Sequence, residues 1–144
     1  MYDVTTEQKI QASEKLLNYE PNNPKLLRMH ESTAKTRLIL GGKRSGKTTW
    51  GVVECIWAGL GLHPYLQYPD PPLNIRICTT SLTTGIKGII LHMMYEWMPR
   101  HAIKKYWADD HILELTNGTQ YDLKSYEMDL DKFEGVARHL VWMD

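Results

Sequence analysis

The chain has 144 residues, 42% of them hydrophobic, so it has the size of one domain and can bury a core. Its 17 Lys and Arg residues balance 17 Asp and Glu residues, which excludes a global attraction for nucleic acid and leaves DNA binding to a local patch. The two cysteines lie in apolar runs and indicate buried thiols of a reducing compartment. Neither a signal-peptide pattern nor an apolar run of about 18 residues occurs, so we expect no membrane partner.

The N-terminal part is predicted to be a helix followed by a linker. Thr5 and Gln8 fit a capping box, and the apolar residues that follow predict an amphipathic helix over 5–19. Two prolines and two asparagines at 20–24 end that helix. Residues 1–24 are therefore assigned to an N-terminal helix and linker.

The remainder, residues 25–144, is predicted to be one domain of alternating helices and strands. The expected elements are a short helix at 25–30, a buried strand at 36–40, a helix at 47–60, a strand at 74–79, a helix at 82–97, a hairpin at 112–125, a helical turn at 129–133 and a final strand at 139–144. Asn117-Gly118 favours a type I′ turn in the hairpin. This order predicts an α/β fold with a mostly parallel sheet and helices on both faces.

Residues 41–48, Gly-Gly-Lys-Arg-Ser-Gly-Lys-Thr, match the phosphate-binding pattern G-x-x-x-x-G-K-[ST] at every fixed position. Its glycines let backbone N–H groups point at phosphate oxygens, and the helix that follows adds its positive N-terminal end. We expect Lys47 to reach the β- and γ-phosphates of ATP and the Thr48 hydroxyl to ligate Mg²⁺. The nucleotide-binding residues are predicted to be Gly41, Gly42, Lys43, Arg44, Ser45, Gly46, Lys47, Thr48 and Thr49.

Charged residues around this loop extend the predicted site. Arg44, inside the loop, is expected to contact the γ-phosphate or a neighbouring subunit. For Lys35 and Arg37 two interpretations stay open, a role in binding and ordinary surface charge.

The chain ends in Leu140-Val-Trp-Met-Asp144, an apolar strand with a carboxylate at its tip. P-loop enzymes hold magnesium through such an acidic residue, so Asp144 is predicted to be a metal ligand beside Thr48. Lys47, Arg44 and Asp144 are the expected catalytic residues. No glutamate follows Asp144 to act as base, which we interpret as truncation at the Walker B strand of a P-loop fold of the additional-strand type.

Four stretches resemble the N-terminal ATPase part of the tailed-phage terminase large subunit, over roughly residues 20–144. They are 30–37 (His-Glu-Ser-Thr-Ala-Lys-Thr-Arg), 40–49 with the P-loop, 115–126 with the hairpin turn and Lys-Ser-Tyr, and 131–144 with Phe-Glu-Gly and the final strand. The resemblance implies ATP hydrolysis that drives double-stranded DNA into a capsid. It also implies a homo-oligomeric ring on the portal protein, a small terminase subunit as partner, and the cytoplasm of an infected or lysogenic bacterial host.

The sequence departs from this family at several positions. Leu26 stands where the family often has a glutamine that contacts adenine, and Glu134 stands where some relatives carry a trans-acting arginine. Lys132, Arg138 or Arg44 would then have to serve as that finger, or the finger lies elsewhere. The nuclease domain of the family is absent from these 144 residues, so nothing present is expected to cut DNA.

Two further function classes stay open beside the packaging motor. One is another P-loop protein, such as a helicase-like ATPase or a small-molecule kinase; the other is a non-catalytic nucleotide-binding module. The six histidines show no metal-ligand spacing, so no zinc site is expected. We expect the chain to bind ATP with little turnover, because the base is missing.

Overall fold

Helices and strands alternate along residues 14–133, 135 and 137–144, the part of the chain that the computed structural model describes. In order they are α1 (Pro24–Glu31), α2 (Lys47–Leu60), β1 (Asn74–Thr79), a π-helix (Leu82–Ile90), α3 (Leu91–Trp97), a 3₁₀ turn (Arg100–Ala102), β2 (Ile103–Trp107), β3 (Ile112–Leu115), β4 (Gln120–Ser125), a 3₁₀ turn (Leu130–Phe133) and β5 (Leu140–Met143). Within these residues, no helix is both long and apolar enough to cross a bilayer.

The five strands form one mixed sheet in the order β2-β3-β4-β1-β5. β1 pairs in parallel with β4 and with β5, whereas β2–β3 and β3–β4 are antiparallel. The predicted mostly parallel sheet of the additional-strand P-loop type is therefore wrong. Two strands account for the difference: β2, which was not predicted, adds an antiparallel pair, and the predicted strand at 36–40 is missing.

Residues 36–40 form no strand and lie outside the sheet. Leu38 is 77% exposed and Leu40 is 85% exposed, so the apolar run is not buried. An apolar run becomes a strand only where a neighbour supplies hydrogen bonds, and within the described chain this segment is in no strand pair. The predicted buried strand is therefore wrong.

The long helix α2 and the π-helix pack on one face of the sheet. The Tyr121 hydroxyl donates to the Cys55 carbonyl of α2 at 2.8 Å. Thr79 of β1 lies so close to the π-helix that a Cβ on Gly85 would be 2.7 Å from its methyl group. The largest fully buried side chains of the core are Ile56, Leu73, Ile75, Ile77, Ile86, Ile90, Met94, Met98, Leu113, Leu115, Tyr121 and Leu123.

The opposite face carries charged side chains, which corrects the expectation of helices on both faces. Asp122 accepts hydrogen bonds from Arg76 at 3.0 Å and from Arg138 at 2.9 Å, and pairs with Lys124 at 3.1 Å. Burial opposes ionisation of Asp122, but these bonds hold its pKa below the ordinary value. Arg76 also donates to the Phe133 carbonyl at 2.7 Å, so the cluster fixes the second 3₁₀ turn against the sheet.

The predicted hairpin is confirmed, but its turn differs. β3 and β4 pair antiparallel as expected. Gly118 has a φ of 92°, whereas Asn117 has no positive φ, so the turn is not type I′. The Leu115 N–H donates to the Thr119 carbonyl at 2.8 Å, and this pair encloses a loop of three residues, 116–118. The Asn117 amide donates to the Gly59 carbonyl at 2.9 Å, which anchors the turn to the end of α2.

The helices predicted within the described residues are confirmed, with one change of helix type. α1, α2 and the turn at 130–133 lie where expected. Residues 82–97 are helical, but the first nine form a π-helix, with Ser81 as its N-cap. Of the helix predicted at 5–19, residues 14–17 are helical and 5–13 lie outside the described residues.

Candidate functional site

The loop at 41–48 owes its shape to backbone conformations that side chains disfavour. Gly46 caps α2 with a φ of 87°, and Arg44 also has a positive φ, 61°. A Cβ on Gly41 would lie 2.9 Å from the Ser45 hydroxyl and 3.3 Å from its Cβ, so a side chain at residue 41 would displace Ser45. A residue other than glycine with a positive φ, such as Arg44, has a strained backbone, and such residues cluster at functional sites.

The loop walls a cavity of about 590 Å³ at the N-terminal end of α2, here called the P-loop cavity. The Lys47 ammonium donates to the Gly41 carbonyl across the loop. The buried Ser45 hydroxyl has no hydrogen-bond partner within the described part of the chain. The residues that line the cavity are Asn22, Gly41, Gly42, Lys43, Arg44, Ser45, Gly46, Lys47, Thr48, Thr49, Ile89, Met93 and Asp144. Positive charge, a helix N-terminus and an unpaired hydroxyl together suit a phosphate chain.

Asp144 reaches this cavity from the far end of the sequence. Its backbone N–H donates to the Cys78 carbonyl at 2.9 Å, which continues the pairing of β5 with β1. One carboxylate oxygen lies 3.5 Å from the Thr48 hydroxyl. Burial raises the pKa of Asp144 above its ordinary value, against the opposing effects of Thr48 and Lys47. A hydroxyl and a carboxylate side by side are oxygen ligands of the kind that Mg²⁺ takes.

A glycine in α2 makes this approach possible. A Cβ on Gly51 would lie 2.1 Å from the ring of Trp142 in β5. β5 can therefore pack against α2 only because residue 51 has no side chain. This close packing sets the distance between Thr48, at the start of α2, and Asp144, at the end of β5.

The structure thus brings together every predicted site residue, from Gly41 to Thr49 and Asp144. Two of the three residues suggested as the trans-acting finger, Lys132 and Arg138, do not lie at the P-loop cavity. Arg138 is paired with Asp122 on the other sheet face, and Lys132 is exposed in the second 3₁₀ turn. Glu134 lies outside the described residues. Arg44 alone among the suggested cations lines the cavity.

A second polar cluster lies inside the fold around Glu54 of α2, and the sequence did not indicate it. Glu54 is 1% exposed. It accepts from His30 Nδ1 at 2.6 Å and from His63 Nε2 at 2.9 Å, and pairs with Arg37 at 2.8 Å. The Tyr68 hydroxyl lies 3.5 Å away. The Glu54 cluster comprises Tyr19, His30, Arg37, Glu54, His63 and Tyr68.

The hydrogen bonds of the Glu54 cluster fix its protonation. Burial opposes ionisation of Glu54, but hydrogen bonds from His30 and His63 and the charge of Arg37 lower its pKa to about 2. Burial also lowers the pKa of His30, whose Nε2 takes a 3.0 Å hydrogen bond with Tyr19. Glu54 is thus a carboxylate and His30 a neutral ring near neutral pH.

His30, Glu54 and His63 offer ligand atoms within 4.8 Å of one another, as a metal site would. His63 Nδ1, however, accepts backbone N–H groups from Leu66 at 2.9 Å and Tyr65 at 3.2 Å. The ring proton must then sit on Nε2, where it donates to Glu54, so Nε2 has no lone pair for a metal. The cluster is a hydrogen-bonded anchor that joins α1, α2 and the loop after α2. A glutamate within an apolar helix was the available signal in the sequence.

Comparisons with protein-family models, with curated proteins and with solved structures gave no match. No relative therefore assigns a role to any of these residues, and a function has to be argued from the site itself.

Proposed function

We propose that this chain binds ATP with Mg²⁺ in the P-loop cavity. The observation that carries the proposal is the meeting of Thr48 and Asp144, 96 positions apart, at a cavity walled by the whole motif. Lys47 and the loop N–H groups would hold the phosphates, while Thr48 and Asp144 would hold Mg²⁺. The metal would supply positive charge at the β- and γ-phosphates.

We further propose that turnover by this chain is slow. Asp144 is the single carboxylate among the described residues that line the cavity. If it holds the metal, none of these residues supplies a second carboxylate to activate water. Steady phosphate release by the purified chain that Lys47→Ala abolishes would contradict slow turnover.

The role we propose for this nucleotide site is the ATPase part of a viral DNA-packaging terminase large subunit, which moves double-stranded DNA into a capsid. The support is the resemblance of residues 30–37, 40–49, 115–126 and 131–144, together with the cavity that residues of two of these stretches, 40–49 and 131–144, line. Partners would be the portal protein, the small terminase subunit and further copies in a ring, in the cytoplasm of a bacterial host.

Duplex DNA tests this role. In a DNA-translocating motor, nucleotide binding changes the affinity for DNA. We therefore expect the chain to bind duplex DNA more tightly with a non-hydrolysable ATP analogue and Mg²⁺ than without them. Lys47→Ala should remove that difference and leave nucleotide-free DNA binding unchanged. Equal DNA binding with and without nucleotide would contradict the motor and favour a nucleotide-binding module.

A further inference from the structure

A second cavity, of about 390 Å³, adjoins the P-loop cavity and is here called the side cavity. The two share Asn22, Gly46 and Thr49 as walls. Asn22 is in close contact with the loop, since a Cβ on Gly46 would lie 2.6 Å from its amide nitrogen. A ligand that spans both cavities would have to pass these shared residues.

The known roles of P-loop residues show from which end of the P-loop cavity the side cavity opens. Lys47 and Thr48 serve the β- and γ-phosphates and the metal in a P-loop, and Asp144 lies beside Thr48. None of these three lines the side cavity. It opens instead beside Thr49, at the end left for the α-phosphate and for whatever that phosphate carries.

The walls of the side cavity combine aromatic rings, free amides and the side chain of Glu20. Tyr19 and Trp97 meet edge to face, with ring centroids 5.7 Å apart. The Tyr19 hydroxyl is held by His30 of the Glu54 cluster at 3.0 Å, so the ring orientation is set before any ligand arrives. Within the described chain, no hydrogen bond engages the side-chain amide of Asn18 or Asn22.

These groups have the chemistry of a base site. An amide presents a donor and an acceptor side by side, which matches N6 and N7 of adenine. Aromatic side chains supply the apolar surface that a heterocycle needs, and a cavity of this size suits one.

We propose that the side cavity holds the adenine base of the nucleotide, with Asn18 and Asn22 reading its polar edge beside Tyr19 and Trp97. The assignment rests on the proposed nucleotide binding at the P-loop. Leu26, at the position where a glutamine was expected, does not serve as base reader: it is 4% exposed, and its carbonyl accepts from the Trp50 ring N–H at 3.1 Å. The amide of Asn22, four residues earlier, takes that role.

Calorimetric titration of the whole chain with ATP, GTP and inorganic tripolyphosphate, each with Mg²⁺, tests the assignment. We expect ATP to bind at least about tenfold more tightly than tripolyphosphate and than GTP. Asn18→Ala, which lines the side cavity and not the P-loop cavity, should lose part of that preference while its tripolyphosphate affinity stays unchanged. The double variant Asn18→Ala/Asn22→Ala should lose most of the preference. Both side chains are exposed, so the variant should fold. Gln120→Ala, an exposed amide on β4, is the matched control and should behave as the unchanged chain.

The outcomes separate this assignment from the proposed function. Equal binding of ATP and tripolyphosphate by the unchanged chain would overturn the base site and leave the P-loop site standing. An ATP preference that survives the double variant would also overturn the role of the two amides. Binding of none of the three ligands would overturn the nucleotide site itself, and the base site with it.

Discussion

The polar groups around Glu54, in the middle of helix α2, and those at the start of the same helix behave in opposite ways. Around Glu54, both carboxylate oxygens are taken by His30, His63 and Arg37 inside the fold. At Lys47, where α2 begins, the loop groups face a cavity, and the Ser45 hydroxyl has no partner among the described residues. The contrast separates structural polar groups, whose partners come from the chain, from binding groups, whose partners would come from a ligand.

The largest expected effect is the loss of the Glu54 carboxylate. Glu54→Ala should lower the free energy of unfolding by about 3–5 kcal/mol, because it leaves the Arg37 charge without its buried partner. Urea unfolding followed by circular dichroism would measure this. Glu96→Ala is the matched control, since its bridge with Lys15 is exposed and should contribute under about 1 kcal/mol. Similar losses in both variants would contradict a structural role that is special to Glu54.

Acid should act on the same cluster. The folded pKa of Glu54 is about 2, below the ordinary 4.5, so its contribution is present above pH 4.5 and is lost as the pH falls towards 2. That contribution is roughly 3 kcal/mol, from about 1.36 kcal/mol per pKa unit. His30, with its pKa lowered by burial, should begin the loss below its ordinary 6.5, because the unfolded chain takes up the proton first. Urea midpoints between pH 7 and pH 2.5 would show this slope, and Glu54→Gln should flatten its lower part.

A side chain at residue 51 should push α2 and β5 apart. Gly51→Ala should destabilise the fold by about 1–3 kcal/mol, because the new methyl group overlaps the Trp142 ring. Helix propensity alone would favour alanine by about 1 kcal/mol, so a net loss reports the overlap. Trp142→Leu in the Gly51→Ala background should recover part of the loss. A Gly51→Ala chain more stable than the parent would contradict the packing described here.

The smallest effect sharpens the role of Asp144. In the complex with ATP, Asp144→Asn should weaken Mg²⁺ binding about tenfold, which corresponds to about 1.4 kcal/mol. Binding of ATP without Mg²⁺ should change little or improve, because a negative charge has gone. Magnesium titrations of the ATP complex would measure both, with the exposed Asp131→Asn as control. Equal magnesium affinity in the two variants would count against Asp144 as a ligand.

Local patterns were enough to predict the part of the fold that carries the P-loop. The apolar spacing after Lys47 predicted α2, the alternation at 74–79 predicted β1, and Asn117-Gly118 predicted the hairpin. The motif also predicted most of the walls of the P-loop cavity, since its residues are adjacent in sequence, but not Asn22, Ile89 and Met93.

Features set by distant contacts could not be predicted in the same way. The apolar segment 36–40 looked like a strand, but no neighbour in the described chain pairs with it. β2 is an edge strand with two adjacent lysines, which interrupt the alternation of apolar and polar residues, so it was not predicted. The Glu54 cluster unites residues from 19 to 68, and each of them alone was compatible with an ordinary role.

Calorimetric titration of ATP with Mg²⁺ into the chain, beside Lys47→Ala, tests the central claim most directly. Lys35→Ala, a cation outside the P-loop cavity, serves as the control. We predict saturable binding that requires Mg²⁺, that weakens about a hundredfold in Lys47→Ala and that stays unchanged in Lys35→Ala. Equal affinity in the parent and Lys47→Ala, or no binding by the parent, would contradict the claim that this loop is a nucleotide site.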